Sequence, residues 1–171
     1  MTESPRFTDF VGRALRKDRL TLSERGGEVV GILCIALFVW FFRENQIQNT
    51  GFFTSRFGPM ESFLFYGSIL FGVVTGSARA LIGRKNVVRP FEVVGALLWA
   101  SASFWFLQVF PFDFSHLPDL LPDAVKFLLG WLTNDIARLL LIIGVLCGVV
   151  QAIYATWLFL TVLRKQGASR E

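Results

Sequence analysis

The sequence predicts an all-α integral membrane protein built as a bundle of four transmembrane helices, and three observations lead to this prediction. Hydrophobic residues make up 53% of the 171 residues and charged residues only 18%, whereas an ordinary soluble domain has roughly 25% charged residues. The 19 phenylalanines and 5 tryptophans add more apolar surface than a small soluble core can bury. The charges also cluster, and long uncharged runs lie between them.

Four apolar runs approach the length of about 20 residues that a helix needs to cross the hydrocarbon core. They cover residues 26–42, 62–83, 91–110 and 135–163. Gly83 is expected to end the second helix, and Pro90 and Pro111 to open and close the third. Asn134 and Asp135 are expected to cap the start of the fourth. The first run is short, so we expect neighbouring helices or local bilayer thinning to support its ends.

Two further segments are amphipathic. Residues 1–25 form a basic N-terminal segment whose apolar positions recur at helical spacing, and they predict a cytoplasmic amphipathic helix that lies either on lipid or on the bundle. Residues 122–133 are too short to span and predict an interfacial or re-entrant helix before the last span. The domain organisation is therefore an N-terminal segment, a four-helix domain over 26–165, and a tail over 166–171.

Lysine and arginine are distributed unequally between alternate connections. Thirteen lie in the N-terminal segment, the second connection with its flanking helix ends, and the C-terminal tail, whereas four lie on the other side. Because basic residues are retained on the cytoplasmic side, this count predicts that both termini are cytoplasmic, in the cell membrane. The net charge of +4 is explained by this topology, so we expect no nucleic-acid partner.

Small residues recur every four positions in the second and fourth spans, which predicts close helix packing there, on each other or on other helices. The ridges consist of Ser68, Gly72, Gly76 and Ala80, and of Gly144, Gly148, Ala152 and Thr156. Gln151 is the one amide well inside a span, and we expect it to bond a neighbouring helix through Ser101, Ser103 or Thr75. Glu28, Arg79 and Glu92 lie near the predicted cytoplasmic helix ends, and we expect Arg79 and Glu92 to form an ion pair that fixes a helix hairpin, with a functional polar cluster as the alternative.

The sequence supplies little catalytic chemistry. It has no GxSxG, HExxH or phosphate-binding loop after a strand, so no catalytic residues and no enzyme are predicted. Its single histidine, His116, lies among Asp113, Asp119 and Asp123, which we interpret as a solvated, helix-capping loop with a weak cation site as the alternative. Cys34 and Cys147 lie far apart in apolar runs, and no metal or cofactor is expected.

These features predict a small polytopic membrane protein that acts through interaction, as an accessory subunit of a membrane complex. Its expected partners are the lipid bilayer and either another membrane protein or further copies of itself. The alternative is a small-solute pore or transporter that acts as an oligomer around Gln151. The absence of a carboxylate deep in any span disfavours proton-coupled transport.

Overall fold

The computed structural model describes residues 20–83 and 85–168, and these residues are almost entirely helical. Helix α1 spans Leu22–Ile47, α2 Pro59–Ile82, α3 Lys85–Val109, the single-turn α4 Phe127–Gly130, and α5 Asn134–Ala168; two 3-10 helices, Phe114–Leu120 and Asp123–Val125, precede α4. Helix accounts for 83% of the residues that the structure describes. The predicted N-terminal amphipathic helix lies outside the described residues, apart from the start of α1.

Helix α1 is longer than its apolar run. It begins at Leu22 because Thr21 and Glu24 form a capping box, in which each side chain accepts a hydrogen bond from the other residue's backbone amide. It continues through Arg43 and Glu44 to Ile47, since charged residues with straight side chains are good helix formers. At 26 residues the helix exceeds the length of about 20 residues that a span needs.

The ends of α2 and α3 are set by the backbone conformations of individual residues. Gly83 ends α2 as predicted, in the left-handed conformation (φ 64°) that glycine adopts without strain. The expectation that Pro90 opens the third helix is wrong, because α3 already begins at Lys85 and includes Pro90. Pro90 is the sixth residue of α3, beyond the four amides that lack a helical partner, so α3 forgoes the one hydrogen bond that this amide would donate to the Asn86 carbonyl. The helix ends before Phe110, whose φ is 40°.

The segment before the last span is broken rather than one amphipathic helix. A 3-10 turn, Asp123–Val125, leads into α4, whose last residue is the helix-weakening Gly130. Beyond it the Trp131 indole donates to the Leu128 carbonyl. Helix α5 is capped by Thr133, whose hydroxyl accepts from the Ile136 amide, and not by Asn134 as expected.

In the described part of the chain four helices are long and apolar enough to cross a membrane, namely α1, α2, the part of α3 from Val87, and α5 up to Thr161. Their large apolar side chains point outward: Leu37 is 65% exposed and Val150 66%. In water, each exposed side chain of this kind would lose the favourable free energy of burial, about 1.5–3 kcal/mol. Hydrocarbon is therefore the solvent that suits these helix faces. The architecture is consistent with a small membrane protein.

The long helices pack mainly as successive neighbours: α1 on α2, α2 on α3, and α3 most extensively on α5. The two small-residue ridges lie in the interfaces of different helix pairs. Gly72 and Gly76 face Ile35 and Ile32 of α1, whereas Gly148 lies directly on α3. The ridges therefore do not form one joint interface, and α3 is the central helix of the bundle.

Phenylalanine rings fill the end of the bundle where α1 and α3 finish, here called the aromatic end. Phe52 is 1% exposed and contacts the rings of Phe42 and Phe112. The two connections are held together by backbone bonds, from Thr54 N to Pro111 O and from Asp113 N to Phe52 O. Loops that pair in this way close the aromatic end.

We expect Gly148→Ala to lower the free energy of unfolding by about 1–3 kcal/mol, because overpacking a close contact forces backbone shifts. A Cβ at this position would lie 2.9 Å from Ala100 Cβ and 3.0 Å from the Ala96 carbonyl oxygen. The measurement is equilibrium unfolding in detergent micelles. Gly67→Ala is the control, since nothing lies within 4 Å of its Cβ position. Equal losses in both variants would contradict this account of the α3–α5 contact.

The connection at the aromatic end should be sensitive to acid through Asp113. Hydrogen bonds from the Ser115 hydroxyl and amide lower the pKa of this carboxyl below its ordinary value of 3.8. Because the folded pKa is lowered, the stabilisation is present above the ordinary pKa and is lost as pH falls through the folded value. Asp113→Asn and Ser115→Ala should each weaken the pH dependence of the thermal midpoint between roughly pH 5 and pH 2. An unchanged acid profile in both variants would refute the assignment.

Candidate functional site

A groove of about 320 Å³ lies beside α3, with α2 and α5 as its walls. It is open at the side of the bundle and is lined by residues of all four long helices: Glu28, Ser68, Phe71, Gly72, Thr75, Gly76, Arg79, Glu92, Gly95, Ala96, Trp99, Cys147, Gly148 and Gln151. Its volume lies at the lower end of the range for ligand sites, about 300–1,000 Å³. This groove, here called the α2–α5 groove, is the candidate site.

The groove exists because of the directions in which the small residues face. The ridge of α2 packs on α1, and the ridge of α5 packs on α3. Helices α2 and α5 therefore flank α3 without an extensive contact of their own. On α3 the lining includes Gly95, on which the Phe71 ring packs, and Ala96, which is 7% exposed.

One end of the groove is charged. The Arg79 guanidinium donates from Nε and Nη2 to Oε1 of Glu92, at 3.1 and 2.7 Å, and from Nη1 to Oε1 of Glu28, at 3.2 Å. The three side chains are between 20% and 32% exposed. The cluster thus joins α1, α2 and α3 near the end where α2 finishes, and it comprises two carboxylates and one cation.

Gln151 does not make the interhelical bond that the sequence predicted. Among the described residues no hydrogen bond involves its side chain, which is exposed in the groove. Thr75 instead donates to the Phe71 carbonyl, and Ser103 is buried where its hydroxyl faces Gly144. The antiparallel register that sets Gly148 on Ala96 carries Gln151 one turn further, toward the turn of Glu92. Its amide therefore adds both a donor and an acceptor to the groove.

The acidic loop at the aromatic end divides into separate pairs. His116 Nδ1 lies 3.0 Å from Asp119, and Lys126 lies 2.8 Å from Asp123. The hydrogen bond and charge of Lys126 lower the pKa of Asp123, and the pKa of Lys126 is raised in return. No group of three or more histidine, cysteine or acidic residues is positioned for a metal within the described part of the chain.

Two polar contacts had no clear signal in the sequence. Glu61, 8% exposed, accepts from the Trp105 indole at 3.0 Å and from the Gly58 amide. Asn45, 1% exposed, accepts from the Thr50 hydroxyl and donates to the Phe41 carbonyl. The spacing from Gly58 to Glu61 indicates a cap, but the tryptophan partner depends on how α2 and α3 are rotated. Both contacts stabilise the aromatic end and lie outside the groove.

No protein-family model matches this sequence, and comparisons with curated proteins and with solved structures gave no match.

Replacing Arg79 should destabilise the bundle, because Arg79→Met leaves Glu28 and Glu92 without their shared cation. We expect a loss of about 1–3 kcal/mol, since hydrogen bonds to charged groups contribute amounts of this order and one partner's removal leaves the other charges uncompensated. Arg43→Met is the control, as Arg43 is exposed on α1 near the aromatic end. It should change the free energy of unfolding by less than about 0.5 kcal/mol. Equal effects in micelle unfolding would contradict a structural role for the cluster.

Proposed function

We propose that this protein is an interaction subunit of a membrane complex, and that the α2–α5 groove seats one transmembrane helix of a partner protein. The observation that carries the proposal is the open groove itself. Helices α2 and α5 flank α3 without closing on each other, and the lining of the groove includes four glycines, Gly72, Gly76, Gly95 and Gly148. No catalytic role is proposed.

Close approach is what a membrane helix needs from its partner. Lipid tails are as apolar as leucine, so helices associate through van der Waals packing at small residues and through hydrogen bonds between side chains. The groove offers small residues in its lining, Gly95 among them, and the exposed side chain of Gln151, whose amide makes no hydrogen bond among the described residues. A partner helix seated there would gain contacts that lipid cannot supply.

We further propose a cell-membrane location with all four long helices crossing the bilayer and both termini in the cytoplasm. The support is the distribution of lysine and arginine, thirteen against four. In this orientation Arg79, Glu28 and Glu92 lie toward the cytoplasmic surface, and the aromatic end faces outward. The partner's helix would then lie beside α2 and α5 with the charged end of the groove at its cytoplasmic side.

Photo-crosslinking from inside the groove tests the proposed function. A benzophenone amino acid in place of Gln151, in the full-length protein in its native membrane, should give one discrete adduct with a transmembrane peptide of another protein. The matched control is Val150, its neighbour on α5, which is 66% exposed and lines no part of the groove. Its adducts should be with lipid. Identical adducts from both positions would contradict the proposal.

The alternative, a small-solute pore, has one observation in its favour: the polar lining of the groove from Ser68 to Arg79. It makes a different prediction in the same preparation. Liposomes containing only the purified chain should become permeable to small solutes, and Gln151→Leu should alter the flux. Permeable liposomes together with crosslinks only to a second copy of the chain would replace the interaction proposal with the pore.

A further inference from the structure

Gln151 carries a side-chain amide in the middle of the longest uncharged stretch of the chain. This stretch runs from Leu139 to Leu163, and twelve of its residues lie on either side of Gln151. At a rise of about 1.5 Å per residue, each end of the stretch lies about 18 Å away along α5. A glutamine side chain is far shorter than this distance, so its amide cannot reach the water beyond either end of the span by extending along the helix.

The amide has no hydrogen-bond partner within the described part of the chain. A carboxamide offers two N–H donors and a carbonyl acceptor, and the Gln151 side chain is exposed in the groove. The charged groups beside it bond each other, since Arg79 donates to Glu92 at 2.7 and 3.1 Å. Thr75 on the α2 wall donates its hydroxyl to the Phe71 carbonyl. Lipid tails supply neither donors nor acceptors, so the amide stays unsatisfied until a second molecule reaches it.

Depth distinguishes Gln151 from another exposed amide, Gln108 of α3. Gln108 also makes no hydrogen bond among the described residues, but it lies one residue before the end of α3 at Val109. Water at the membrane surface can bond its amide there, so Gln108 needs no partner from a protein. For Gln151 the hydrogen bonds must come from another helix.

The bonding pattern of an amide favours a second amide as its partner. Two carboxamides can each donate and accept, so they form a reciprocal pair. A hydroxyl suits the site less well because it can donate to its own helix instead, as Ser68, Thr75 and Thr161 do in this chain. An ionised side chain would have to lie at the same depth in the hydrocarbon, which is costly.

We propose that the partner's transmembrane helix presents an asparagine or glutamine side chain to Gln151, and that the two amides bond each other inside the α2–α5 groove. The inference rests on the proposed function and names the chemistry of the partner. Amide side chains hydrogen-bond across membrane helices and stabilise their association. The pair also sets the position of the partner along the groove, because the two amides must lie at one depth.

The test uses synthetic transmembrane peptides with a leucine–alanine core of about 20 residues and either asparagine or leucine at the centre. Binding to the full-length protein in phosphatidylcholine vesicles is measured by energy transfer between labels, with the peptide dilute enough in lipid that it does not pair with itself. We expect asparagine to raise the affinity for the unaltered protein about 10-fold, and to raise it much less for Gln151→Leu. The four combinations isolate the contribution of the pair. An equal gain on both proteins would overturn the inference.

Gln108→Leu is the matched control, since it makes the same change at an exposed amide outside the groove. It should retain the preference for asparagine, and a loss as large as that of Gln151→Leu would contradict the assignment to the groove. Unfolding of the protein alone in micelles provides a second check. Gln151→Leu should leave the unfolding midpoint unchanged, whereas a marked destabilisation would show that Gln151 bonds within its own chain, and the inference would fall.

Crosslinking separates this inference from the proposed function. A benzophenone amino acid in place of Trp99, which also lines the groove, leaves Gln151 intact. We expect it to form an adduct with a transmembrane peptide of another protein that contains asparagine or glutamine. An adduct with a helix that has neither residue would refute the amide pair and leave helix docking intact. Adducts only between two copies of this chain, whose Gln151 side chains would then bond each other, would overturn the assignment to a separate partner.

Discussion

The contact of α5 on α3 at Gly148 is the interaction on which the rest of the arrangement depends. In lipid no hydrophobic effect drives two apolar helices together, so the contact must come from close packing of backbones. Gly148 meets Ala96 and Ala100 at distances that leave no room for a side chain. This contact makes α3 the central helix, fixes the antiparallel register of α5, and thereby brings Gln151 to the groove.

The two ends of the bundle are stabilised by different interactions, aromatic packing at one and ion pairs at the other. At the aromatic end, rings from the connections and from three helices pack around Phe52 and Phe112, and paired loop backbones hold the connections together. At the other end Arg79 links three helices through two carboxylates. Aromatic packing depends on the shapes of the rings, whereas the ion pairs depend on charge, and their three side chains remain 20–32% exposed.

The fold could be predicted from the sequence to within a few residues for most helix ends. Apolar runs and caps indicated the four long helices, and Gly83 indicated the end of α2. The errors have local causes. The charged residues Arg43 and Glu44 continue α1, and α3 includes Pro90 although it forgoes one helical hydrogen bond there. The Arg79–Glu92 pair followed from two adjacent helices joined by a short connection, which sets both side chains at one level.

By itself, the sequence determined how many apolar helices there are, where they lie and which residues are small enough for close packing, because hydropathy and local propensity are properties of short segments. Only the tertiary structure decided which helix each ridge contacts, because this depends on the rotation of each helix about its axis. That rotation turned Gly72 and Gly76 toward α1 and added Glu28 to the Arg79 pair. It also left Gln151 facing an open groove, where the sequence had predicted a bond to a neighbouring helix.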